Sequence, residues 1–187
     1  PYKQHQADII RLVVLKEMGG VYNDLDILTL KNYSELVAKF KTNGKHIGLV
    51  TESEGRLSNA FIISSANNKF INEWLYQYET TYGTVGDLWA GLSVEKPHEL
   101  SLKYKDIIEI FNKETFLPFD YFHTDFFTKS TTNINYSNSY GIHLWDTEQQ
   151  KRGILPKNEI EFAIGNTIFY QMFKEYIPTI HTLQNLY

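Results

Sequence analysis

The sequence predicts an α/β chain, a mixed sheet flanked by helices, and three observations carry that expectation. Helical periodicity alternates with short apolar runs of strand length from the first residues onward, the order of a layered sheet whose site lies at strand C-termini. The 187 residues are 42% hydrophobic and 15% aromatic, ample for a packed core. No internal repeat, linker or low-complexity tract divides them, so one domain is expected over 1–187.

The elements follow in order. From His5 to Met18 the pattern is helical, with Ile9, Ile10, Leu12, Val13, Val14, Leu15 and Met18 apolar on more than one side, as for a helix buried between layers. Gly19 and Gly20 supply its left-handed stop. The run Val21 to Asp26 is extended and continues through Ile27 to Leu30. Ser34 is the expected N-cap of a short helix, Glu35 to Phe40. Asn43-Gly44 marks a turn before a strand, His46 to Val50, and the polar segment Thr51 to Ser58 is expected to loop over the sheet edge. A strand over Asn59 to Ser64 leads to a helix capped by Asn67 or Asn68, in which Phe70, Trp74, Tyr78 and Tyr82 form a core stripe ended by Gly83 to Gly86. Ile107 to Ile110 is a further strand. Phe116 to Phe127, broken by Pro118, is expected as a packed loop or edge strand. Lys129 to Ser139, rich in Thr, Asn and Ser, is a candidate mobile loop. Tyr140 to Trp145 is extended, with Lys151 and Arg152 as solvated charges beyond it, and a helix over Glu159 to Tyr176, with Ile160, Ala163, Ile164, Ile168, Met172 and Phe173 inward, ends at Pro178.

Chemistry concentrates at Gly19-Gly20-Val21-Tyr22-Asn23-Asp24-Leu25-Asp26. On an extended backbone Asp24 and Asp26 project to one side and Leu25 turns into the protein. Two adjacent carboxylates either remain as solvated loop charges or hold a hard divalent cation, Mn2+ or Mg2+, with coordination positions left for phosphate oxygens. Asp8 and Arg11, three apart on one helix face, either form an ordinary ion pair or open toward this corner to bind a polyhydroxylated ligand.

Together, Asp8-x-x-Arg11 and Gly19-Gly20-x-Tyr22-x-Asp24-x-Asp26 closely resemble the pattern of glycosyltransferases that carry the DXD sugar-binding region. That group includes yeast-type mannosyltransferases, capsular-polysaccharide transferases, lactosylceramide galactosyltransferases and, more distantly, the glucosylating clostridial toxins. The resemblance implies a GT-A-type, Rossmann-like fold, a nucleotide-sugar donor carrying UDP or GDP, a Mn2+ or Mg2+ ion, and transfer with retention. It further implies that Asp8 and Arg11 hold donor sugar hydroxyls, that Asp26 binds the metal, that Asp24 lies near the ribose, sugar or metal waters, and that Tyr22 lines the donor pocket. Catalysis would then rest on Asp24, Asp26 and Arg11. Asn59 matches a residue that faces the donor sugar, although Asn is also an ordinary turn residue. His143-x-Trp145 resembles the C-terminal H-x-W element; the imidazole completes the metal shell with Asp24 and Asp26, contacts the diphosphate, or is simply structural, and Trp145 shares its face on the donor side. Asp87 and Trp89 occupy the place of an acceptor-side loop, without that loop's proline. The β-α-β unit that holds the base in such folds would precede Pro1, so the chain is expected to be N-terminally truncated.

Composition narrows the partners. The formal charge is −4, from 18 Lys and Arg against 22 Asp and Glu, with no basic stripe, so no nucleic-acid partner is expected. Cysteine is absent, excluding disulfides and thiolate metal sites. No apolar run is long enough to span a bilayer and no signal peptide is visible, which gives a cytoplasmic expectation without excluding a membrane-associated parent protein. The expected partners are the nucleotide-sugar donor and a glycan, lipid-linked or protein acceptor. Two other classes share part of this pattern. A dehalogenase-type phosphatase also uses D-x-D, but Asp24 follows Gly-Gly-Val-Tyr-Asn rather than a long apolar strand. An inactive carbohydrate- or nucleotide-binding remnant would keep the motif without turnover.

Overall fold

The computed structural model describes residues 3–81, 90–131, 133–155 and 166–176. Its centre is a four-stranded sheet of β1 (Gly20–Asn23), β3 (Ile47–Ser53), β4 (Arg56–Ser64) and β5 (Ile108–Phe111), in the order β1-β4-β3-β5. A two-stranded ribbon, β2 (Ile27–Thr29) with β6 (Gly141–His143), stands beside it. The helices are α1 (Lys3–Met18), α2 (Ser34–Thr42), α3 (Lys69–Thr81), α4 (Lys96–Lys103), α5 (Asp125–Thr128), α6 (Asp146–Lys151) and α7 (Ile168–Tyr176), with a π-helical turn, Gly91–Glu95, running into α4.

The sheet is mixed, as expected, but mostly antiparallel. Only β3 and β5 run parallel, whereas β4 pairs antiparallel with both β1 and β3. The cause is local. The segment expected to loop between Thr51 and Ser58 instead extends both strands, leaving Glu54 and Gly55 as a two-residue turn with Gly55 at φ +71°. A turn that short can join only antiparallel strands.

Both sheet faces are covered. On one, Leu12 and Leu15 of α1 and Phe70, Trp74 and Tyr78 of α3 pack on Ile47, Leu49 and Ile62. The aromatic stripe of α3 is therefore core; Tyr82, its fourth expected member, lies outside the described residues, as do residues 83–86, Asp87, Trp89 and Pro178. The indole of Trp74 donates to the Leu92 carbonyl at 2.8 Å, so its polar edge is satisfied inside. On the other face Leu36 and Phe40 of α2 meet Phe61, Ile63 and Phe116. A third cluster joins Phe119, Phe126, Phe127, Ile142 and Ile168. The run from 116 to 127 is thus a packed loop ending in α5, not an edge strand.

Three expectations are corrected. Helix α1 is not buried between layers: Ile10, Val13, Val14 and Met18 are exposed, because its inward face is given to His5, Asp8, Arg11, Leu12 and Leu15. The start of α2 is organised by Asn32, whose Oδ1 accepts from the Ser34 backbone N–H (2.8 Å) and hydroxyl (2.6 Å), rather than by a Ser34 cap. No single helix runs to Tyr176 from Glu159: Asn166 and Thr167 are non-helical, and α7 begins at Ile168, where the Thr167 hydroxyl accepts from the Tyr170 N–H. Ile160, Ala163 and Ile164 lie outside the described residues. Asn68, of the two cap candidates, caps α3 by accepting from the Ile71 N–H at 3.0 Å.

Candidate functional site

The glycine pair sets the corner's position. Gly19 ends α1 at φ +65°, and a Cβ there would lie 2.7 Å from the Ala66 nitrogen, so the residue must be both left-handed and bare. The chain then enters β1 at the sheet edge. Beyond Asn23 it does not stay extended: the Ile27 N–H donates to the Asp24 carbonyl at 3.1 Å, closing a turn. Asp24 and Asp26 converge because of that turn rather than by strand alternation, and Leu25 is fully exposed instead of buried.

Each carboxylate is anchored to a different sheet. The Asp24 N–H donates to the Ala60 carbonyl of β4 at 2.8 Å. Asp26 is fixed to the ribbon: its carbonyl accepts from the Leu144 N–H (2.8 Å) and its Oδ2 from the Asp146 N–H (3.0 Å). Register brings in the imidazole. His143 lies opposite Ile27 in the β2–β6 pair, and its Nε2 sits 3.2 Å from Asp26 Oδ1. One ligand atom each from Asp24, Asp26 and His143 fall within 4.8 Å of one another.

Arg11 ties the helix to this corner. Its guanidinium lies 3.2 Å from Asp8 Oδ1 and 3.3 Å from Asp24 Oδ1, donates to the Asn59 carbonyl at 2.7 Å, and stacks 4.6 Å from the Tyr22 ring centre. Asn59 Nδ2 donates to Asp8 Oδ1 at 2.8 Å, and the Tyr22 hydroxyl donates to Asp24 Oδ1 at 2.5 Å. The structure therefore brings Asp8, Arg11, Tyr22, Asp24, Asn59, Asp26 and His143 together. Asp8 and Arg11 are nearly closed off, with 3% and 7% of their side chains exposed, so they form the floor of the corner rather than its rim.

Trp145 reaches the site by an unexpected route. It adopts a left-handed conformation, φ +56°, at the start of α6, so it is a turn and not strand alternation that places its ring 4.2 Å from that of His143. Lys151 pairs with Glu148 at 2.6 Å and Arg152 lies over Tyr121 at 5.5 Å, consistent with surface charges.

Electrostatics separates the carboxylates. Burial pushes Asp8 and Asp24 above the usual aspartate range, against the opposing pull of Arg11. Burial acts on Asp26 in the same sense, but the His143 hydrogen bond and charge and the Asp146 N–H outweigh it and hold that carboxyl below the usual range. Sequence reasoning missed Glu52, which is raised by burial against the pull of Arg56, His143 and Lys113. It lies in the stretch mistaken for a loop, where an acid between Thr51 and Ser53 carries no sequence signal of its own.

The donor set suits an ion. Two carboxylates and one imidazole match the hard, oxygen-rich preference of Mn2+ or Mg2+, with His143 shifting the balance toward Mn2+. His143 Nδ1 is buried with no hydrogen-bond partner among the described residues. With Nε2 donating to Asp26, Nδ1 is an unpaired buried acceptor; a ring that gave Nε2 to an ion would carry its proton at Nδ1 and would need an acceptor there, such as water.

Two stretches of the chain match known protein families. Residues 1–43 match the glycosyltransferase sugar-binding region containing a DXD motif, and residues 93–173 match the alpha 1,4-glycosyltransferase conserved region. Glucan organizing enzyme 1 of Cryptococcus neoformans var. grubii is 32% identical over 152 residues, covering 76% of this chain and 40% of that protein. The chain thus spans well under half the length of this curated relative. No solved structure matches significantly. The first match covers Asp8, Arg11, Asp24 and Asp26, and the second covers His143 and Trp145. On these matches the chain resembles, over these two stretches, glycosyltransferases that carry a DXD sugar-binding region and an alpha 1,4-glycosyltransferase region.

Proposed function

We propose that this chain forms the donor site of a metal-dependent glycosyltransferase. It moves a sugar from a UDP- or GDP-sugar to a hydroxyl of a glycan, or of a lipid-linked or protein acceptor, with retention at the anomeric carbon. The observation that carries the proposal is the convergence of Asp24, Asp26 and His143 beside the Arg11 network. The relative's name adds glucan as an acceptor class to be tried first.

Asp24, Asp26 and His143 would hold a divalent ion, which when bound would supply positive charge to offset that developing on the leaving diphosphate. The chain's own residues do the rest. Asp26, held ionised by its neighbours, keeps a full negative charge at the corner at neutral pH. Arg11 holds Asp8 and Asp24 in fixed orientation, and Asp8 with Arg11 forms the polar floor against which sugar hydroxyls are positioned. Tyr22 and Trp145 close the sides and exclude water. No side chain among the described residues stands out as a nucleophile committed to a covalent intermediate.

The test is titration calorimetry of UDP- and GDP-sugars with and without Mn2+, on the native chain and on Asp26→Ala, with circular dichroism as a check of folding. Binding that requires Mn2+ and is lost in a folded Asp26→Ala chain is expected. Absence of metal-dependent binding in the native chain would overturn the proposal.

A further inference from the structure

The rings that begin at His143 continue outward from the site. His143 packs on Trp145 (4.2 Å between centroids), Trp145 on Tyr121 (5.9 Å), Tyr121 on Phe122 (5.4 Å) and Phe122 on His123 (4.8 Å). The inner members are covered, but Tyr121 is 44% and Phe122 is 55% exposed. The fold thus forgoes at two neighbouring positions the stabilisation that burying a large ring would bring.

This stretch is held in place. Trp145 Nε1 donates to the Phe119 carbonyl at 3.0 Å, Gln149 Nε2 donates to the Tyr121 carbonyl at 2.8 Å, and Asp120 is paired with Lys113. The exposed rings therefore sit on a braced segment.

Glu52 belongs to the same neighbourhood. A register shift between Thr51 and Ser53 leaves it out of the β3–β4 pairing, the kind of irregularity that redirects a side chain. Its carboxylate is half-buried and has no hydrogen-bond or ion-pair partner among the described residues, yet it feels the charges of Arg56 first and then of His143, Lys113 and Asp120. An ionisable acceptor left unpaired in partial burial is one that a ligand can satisfy.

We propose that Tyr121, Phe122 and Glu52 form the acceptor subsite, adjoining the Asp24, Asp26 and His143 cluster by way of Trp145. The ligand is a neutral glycan. The C–H face of one sugar lies on the exposed rings, whose faces carry partial negative charge, and a hydroxyl of the same sugar donates to Glu52. This subsite rests on the transferase proposal above.

The experiment measures binding of maltotriose, laminaritriose and mannotriose to the native chain by saturation-transfer NMR, with Kd values from titration. At least one trisaccharide is expected to bind. Phe122→Leu keeps apolar volume but lacks a ring face, and Tyr121→Ala removes the second ring; each is expected to weaken that binding by about tenfold. Glu52→Gln keeps shape but loses the charged acceptor and is expected to weaken it by about tenfold as well. The Mn2+-dependent nucleotide-sugar titration is run on the same samples. If the native chain binds nucleotide-sugar but no trisaccharide, or if Phe122→Leu and Glu52→Gln bind it as the native chain does, the subsite is overturned while the donor site stands. If nucleotide-sugar binding is absent and trisaccharide binding behaves as expected, the donor proposal fails instead.

Discussion

Asp24 and Asp26 stand two residues apart, yet they belong to differently built regions. Asp24 is pinned to the four-stranded sheet and enclosed by Arg11 and Tyr22, and burial lifts its carboxyl above the ordinary range. Asp26 is pinned to the β2–β6 ribbon, accepts from the Asp146 N–H and faces His143, which together hold its carboxyl below that range. When neighbouring acids are pushed apart in this way they take different roles. The Arg11 side is a charge-balanced support, whereas the His143 side keeps a carboxylate ionised and available. The ligand cluster straddles the seam between the two sheets.

The comparison can be broken most severely at Arg11. Arg11→Met leaves Asp8 and Asp24 without their cation in a site where Arg11 and Asp8 are nearly closed off, and a loss of about 3–5 kcal/mol in urea unfolding is expected. Asp26→Ala is expected to leave the fold in place and lower Mn2+-dependent hydrolysis of a UDP- or GDP-sugar by at least about a hundredfold. Activity at the native level in that variant would erase the distinction between the two sides. Gly19→Ala forces a Cβ into the Ala66 backbone from a left-handed residue. A loss of about 1–3 kcal/mol in thermal unfolding is expected, together with weaker metal binding as the corner shifts.

The smallest effect sharpens the comparison by its sign. For Asp24, with its carboxyl raised, the stability contribution is full below the ordinary aspartate pKa and is lost as pH rises through the folded value. For Asp26, with its carboxyl lowered, the contribution is present above the ordinary pKa and is lost as pH falls through the folded value. At neutral pH Asp24→Asn is therefore expected to raise Tm and Asp26→Asn to lower it, and both differences should shrink in acid. Differential scanning fluorimetry at pH 7 and pH 3 reads both; equal shifts of one sign would contradict the assignment.

Features set by a few neighbouring residues were legible in the sequence. The glycine stop of α1, the carboxylate pair and the aromatic stripe of α3 each depend on residues within a turn or two of one another. What depended on partners far along the chain was not. Asp24 and Asp26 were expected to align by strand alternation, but their convergence needs a turn whose arms are held by Ala60 and Leu144. Polar Thr51 to Ser58 resembled a loop although its pairing is local: Thr51 meets Leu57 and Ser53 meets Arg56 across the Glu54-Gly55 turn, and its polar residues carry almost no apolar signature of a strand. Ile10, Val13, Val14 and Met18 suggested a helix buried all round, whereas the polar residues Asp8 and Arg11 claimed the inward face through contacts with Asp24 and Asn59. The exposed pair Tyr121 and Phe122 could not be told from core aromatics by composition alone.

Leu25 gives the corner an experimental handle. Its side chain points wholly into water between the two aspartates, and the chain contains no cysteine. Leu25→Cys would therefore supply a unique thiol to which an environment-sensitive dye could be coupled without touching the packed interior, so that cation capture could be followed optically and in real time.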